Sequence, residues 1–154
     1  MIAVLAVLVA LLVQVTVVNR FPLPPGGGPD LVLLVVIGMA LARGPSAGAM
    51  IGFSAGMLVD LMPPTAHVLG QYAFVYALVG YVAGRGLGGT VPTVMLCVLA
   101  APLLAGAVGW LIGDPRVTAA SIASGVPVTV FYSLLAAPVV IWLLTVGRSE
   151  EFAA

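Results

Sequence analysis

The sequence predicts an all-α polytopic membrane protein, one transmembrane domain over residues 1–154 with six transmembrane helices, the second short or re-entrant. Three observations carry that prediction. Of 154 residues, 62% are hydrophobic and only 6% charged, where a soluble domain carries about a quarter charged residues. The five arginines and five acidic residues fall between apolar runs or at their ends, because hydrocarbon penalises a charge by a few kcal/mol. Most of the apolar runs approach the ~20 residues that a helix needs to cross a bilayer core.

The same composition excludes several function classes. Formal net charge is zero and there is no lysine, so no basic face exists to hold nucleic acid and no acidic tail exists to recruit a basic partner. The one cysteine, Cys97, lies inside an apolar run and reads as a small packing residue.

Taken in order, Ile2 to Val18 is a run of about 17 residues, roughly 25 Å as a helix. It has no basic residue before it and no small-x-small cleavage site after it, so it reads as a retained span and not a signal peptide. Arg20 marks its water boundary. Pro22, Pro24, Pro25 and the Gly26-Gly27-Gly28-Pro29 run give a loop, and Asp30 is placed to cap the next helix. Leu31 to Ala42 offers roughly 18 Å of helix, too short to cross upright, so it is either surrounded by protein or re-entrant. Arg43-Gly44-Pro45 ends it. Ser46 to Leu61 is the third run, with Gly48, Gly52 and Gly56 on one face at the small-xxx-small spacing that lets helices approach closely. Packing within the chain is the first reading of that face, and a surface for another protein the second.

Met62-Pro63-Pro64-Thr65 turns the chain back into the fourth run, Val68 to Ala83, with Gln71, Tyr72 and Tyr76 early and Gly80 and Gly84 late. Arg85 to Gly89 is a short loop. Val91 to Ile112 is a full span with Trp110 near its end, where indoles favour the headgroup level. Asp114-Pro115-Arg116 closes it. Ser121 to Val146 is the sixth span, long enough to tilt, with Pro127 and Pro138 as kinks. Six spans put both termini on one side. With both cytoplasmic, Arg43, Arg85 and Arg148 lie inside, against Arg20 and Arg116 outside, and Asp60 and His67 fall at the outer face.

Asp60 is the most informative polar residue, since a carboxylate at a helix C-terminus faces the negative end of the helix dipole. Two compensations are available. It can accept backbone N–H bonds from the turn and the start of helix four, or pair with Arg20 or Arg116. Its expected role is to fix the turn between helices three and four. A metal role with His67 lacks the third and fourth ligands. Gln71, Tyr72 and Tyr76 either line a small polar cavity beside helix three or satisfy one another between helices, and the second is preferred. No nucleophile matches the single histidine and an orienting acid at a recognised spacing, and no phosphate loop follows a strand, so the chain reads as no enzyme and no cofactor is expected. No span carries the polar stripe of a pore.

Gly52-Phe53, Gly56 to Leu61, Leu69-Gly70 followed by Gln71 to Tyr76, and Val79 to Gly84 together resemble the core signature of the rod shape-determining membrane protein MreD. The resemblance implies a multi-pass inner-membrane scaffold of the bacterial elongation machinery (the elongasome), involved in regulation of cell shape. It also implies direct binding to MreC, and a link from cytoplasmic MreB filaments to peptidoglycan synthesis by RodA and a class B penicillin-binding protein. Gly52, Gly56, Asp60, Gly70, Gly80 and Gly84 match its pattern, and the fold it implies is similar to that of S components. The departure lies at the start, where almost no residues precede span one for a tail contact. The alternative is an S component of an energy-coupling-factor vitamin transporter, which is similar in length and helix count and docks its partner through small residues on the first helix. Here Ala6 and Ala10 sit four apart. The lack of a rich polar pocket beyond helix four argues against that alternative.

Overall fold

The computed structural model describes residues 2–20, 27–62 and 68–149, and the described residues form six α-helices joined by turns. These are α1 (Ile2–Thr16), α2 (Leu31–Arg43), α3 (Pro45–Leu61), α4 (Gln71–Arg85), α5 (Thr90–Ile112) and α6 (Ala119–Ser149), with a 3-10 turn over Val18–Arg20. Each expected run is a helix, with shifted ends. α1 stops short of Val18, where the backbone tightens into the 3-10 turn. α4 starts three residues later than its apolar run, because Gly70 adopts a left-handed conformation (φ 95°) that a helix interior does not admit.

α2 is the centre of the molecule. Val32 to Ile37, Met39 and Ala40 are all buried, and the helix is packed by α1, α3, α4, α5 and α6. The outer helices follow one another around it, with α1 against α3, α3 against α4, α4 against α5 and α5 against α6. A helix with no polar face must be buried all round, and this is why the shortest apolar run takes the middle. At its end, Gly44 (φ 90°) and Pro45 at the first turn of α3 reverse the chain, since proline's missing N–H is harmless there.

α3 and α4 make the closest pair. A Cβ on Gly48 would collide with the Gly80 carbonyl, one on Gly52 with the Tyr76 carbonyl, and one on Gly56 with the Tyr72 carbonyl. The relation is mutual, since a Cβ on Gly80 would strike the Gly48 carbonyl and one on Gly84 the backbone of Gly44 and Pro45. Backbone thus lies directly on backbone along both helices, the contact that small-residue faces make possible in apolar surroundings.

α5 and α6 are long and apolar enough to cross a membrane, with mean hydropathies of 2.2 and 2.0 over their most apolar 18 residues. Their outward faces are apolar too, and Trp110, Leu111, Phe131 and Trp142 are exposed. Val4, Leu5 and Leu12 of α1 are exposed in the same way. Apolar surface this extensive on the outside suits lipid and not water, and the architecture is that of a helical membrane protein.

Candidate functional site

Two polar constellations stand out within this apolar frame. The first joins α3 to α4. Asp60, at the last turn of α3 and 6% exposed, accepts from the backbone N–H groups of Gly70 at 2.9 Å and Ala73 at 3.1 Å through Oδ2, and of Tyr72 at 3.2 Å through Oδ1. The first turn of α4 has N–H groups with no intrahelical partner, and Gly70 has no side chain to cap them. The carboxylate of the neighbouring helix does so instead. Its charge then sits at the positive end of the α4 dipole, which offsets its unfavourable place at the end of α3. Of the two compensations open to Asp60, the backbone donors are present.

The second constellation surrounds the start of α2. Asp30 caps that helix, accepting from Leu33 N at 3.0 Å through Oδ1, and its Oδ2 accepts from the Tyr76 hydroxyl at 2.5 Å. The backbone N–H of Asp30 donates to Ser133 Oγ at 2.9 Å. Gln14 of α1 ties down the same corner, donating to Pro29 O and accepting from Leu31 N, both at 2.9 Å. Because α2 is short, this helix start lies beside the middle of α4 and of α6. A carboxylate that follows a proline-rich loop in sequence is therefore drawn inside the bundle.

Asp30 and Tyr76 face a cavity of about 230 Å³ bounded by α4, α5 and α6. Gln71 and Tyr72 also line it, with Leu33, Val98, Ala101, Ala105 and Ile122 among its apolar walls. The Gln71 Nε2 group donates to Ala105 O at 2.8 Å, and its Oε1 has no hydrogen-bond partner among the described residues. Tyr72 and Tyr76 meet edge to face, with ring centroids 5.6 Å apart.

Comparison with known protein families matches residues 1–145 to the model of rod shape-determining protein MreD. The chain belongs to the MreD family. Neither curated protein sequences nor solved structures yield a match. In this MreD-family chain, Gly48, Gly52, Gly56, Gly80 and Gly84 gather along the α3–α4 seam, and Asp60 and Gly70 close that seam at one end. Gln71, Tyr72 and Tyr76 collect at the cavity. Two expectations are corrected. The cavity lies on the α5 and α6 side of α4 and not beside α3, since the glycine seam leaves no space between α3 and α4. The preferred alternative, mutual satisfaction of the three polar side chains, gives way for two of them to bonds with other elements: Tyr76 pairs with Asp30 and Gln71 with the Ala105 carbonyl. His67 lies outside the described residues. The sequence does not mark Asp30, Ser133 or Gln14 as site residues, and its one signal is the capping position of Asp30.

Proposed function

We propose that this chain is a non-catalytic scaffold subunit of the bacterial cell-elongation complex. In this reading it crosses the inner membrane six times as a single domain with both termini cytoplasmic, and α2 is a short span surrounded by protein. It binds MreC directly and links MreB to peptidoglycan synthesis by RodA and a class B penicillin-binding protein. The observation that carries the reading is the family match over residues 1–145. The polar chemistry supports it. Hydrogen bonds of Asp60, Asp30 and Tyr76 hold helices to one another, which suits a rigid platform for partners. Arg43 and Arg85, at the same end of the bundle as the Gly44 to Gly84 contact, fit a cytoplasmic face under the positive-inside rule.

The vitamin-transporter alternative is the weaker reading, because the cavity of about 230 Å³ is smaller than the roughly 300–1,000 Å³ usual for sites that enclose a drug-sized ligand. Controlled depletion of the protein in its own bacterium tests the proposal. Depleted cells are expected to lose width control and round up, whereas cells that keep their shape while losing uptake of a vitamin would overturn it.

A further inference from the structure

We propose that the cavity between α4, α5 and α6 binds a primary ammonium group on a short apolar stem, with Asp30 as its counter-ion and the Gln71 carboxamide as a second acceptor. Three observations lead there. The carboxylate of Asp30 lines the cavity, and no basic side chain lines it among the described residues. A carboxylate inside an apolar bundle calls for a cation or a dense set of donors, and among the described residues the Asp30 carboxylate accepts from two groups, the backbone N–H of Leu33 and the Tyr76 hydroxyl. Gln71, 5% exposed, also lines the cavity and leaves its carbonyl oxygen without a donor, a state that buried polar atoms rarely keep.

The missing chemistry is therefore donation, and positive charge. An ammonium group offers three N–H donors and no acceptor, which matches a wall holding one carboxylate and one unpaired amide oxygen. A ligand that presents a carboxylate or phosphate to Asp30 itself would meet like charge there. Leu33, Val98 and Ile122 provide apolar surface for the carbon stem, and the small volume selects a few carbons over a large ring system. Two sources supply this group: a free amine, or the ethanolamine headgroup of a membrane lipid.

The test uses the full chain, purified in mild detergent and in nanodiscs, with thermal unfolding as readout. Butylammonium and hexylammonium are titrated against butanol, hexanol and tetramethylammonium, which lack either the charge or the N–H donors. Saturable stabilisation by the primary ammonium ions alone is expected. Asp30→Asn keeps an acceptor for capping α2 and should weaken ammonium binding by roughly tenfold or more. Gln71→Leu should weaken it and Gln71→Glu preserve or strengthen it. Nanodiscs of phosphatidylcholine alone and with phosphatidylethanolamine separate the sources. Stabilisation by the ethanolamine lipid, competed by hexylammonium, assigns a lipid headgroup, and equal amine binding in both lipids assigns a free amine. No saturable response to any primary amine, equal stabilisation by the alcohols, or unchanged ammonium binding in a folded Asp30→Asn variant would each overturn the proposal. The scaffold reading is tested separately by cell shape and partner capture, and does not fall with it.

Discussion

The carboxylate of Asp60 lies where the end of α3 meets the start of α4, and it accepts from the backbone N–H groups of Gly70, the cap of the second helix, and of Tyr72 and Ala73 in its first turn. Asp60→Ala leaves those donors unmet, so it should lower stability by about 2 kcal/mol or more, read as a fall in melting temperature in detergent and in folded protein recovered from membranes. Unchanged melting and recovery would contradict that role. Asp60→Asn, which keeps one acceptor oxygen, should fall between the two. Tyr76→Phe removes the donor to Asp30 and should cost about 1–2 kcal/mol without altering the glycine seam, which its backbone carbonyl and not its ring supplies. The two acids differ in how far the sequence exposed them. Asp60 was legible because it stands in conflict with the dipole of its own helix, a purely local property. Asp30 was legible as a cap, yet its place inside the bundle depends on the shortness of α2 and on what surrounds it, and neither is local.

At the scale of elements, the seam between α3 and α4 rests on Gly48, Gly52, Gly56, Gly80 and Gly84, each of which brings backbone against backbone. Gly52→Leu should prevent the pair from closing, with loss of folded protein in fluorescence-detected size exclusion, and a fully folded variant would refute the close contact. Gly52→Ala should also destabilise, because the colliding atom is a carbonyl and not the flexible end of a side chain. Fourfold spacing made this face visible in sequence. What it met was not visible, because Gly80 and Tyr76 can be paired with Gly48 and Gly52 only once the turn has set the register. The side of α4 on which the cavity lies depends on the same register. Gln71, Tyr72 and Tyr76 were seen as one polar group, but the tightness of the seam is what turns their free space towards α5 and α6. The central position of α2 had a physical signature, an apolar run with no polar face, which left only burial or re-entry.

At the scale of the whole molecule, the proposed topology puts Arg43 and Arg85 inside and Arg116 outside. In a Cys97→Ser background, Arg116→Cys should react with a membrane-impermeant thiol reagent in intact spheroplasts, and Leu87→Cys only after permeabilisation. Both positions are exposed, so reversed labelling would invert the orientation. The proposed role, a rigid membrane platform for the elongation machinery, joins the MreD-family match to a fold in which polar groups bind the helices together. Its most direct test is affinity purification of the tagged protein from its native membranes in mild detergent, with mass spectrometry of proteins and small molecules together. MreC is expected in stoichiometric amount, with RodA and its transpeptidase at lower yield, and recovery of an ATP-binding-cassette pair with a bound vitamin, in place of MreC, would overturn the platform role.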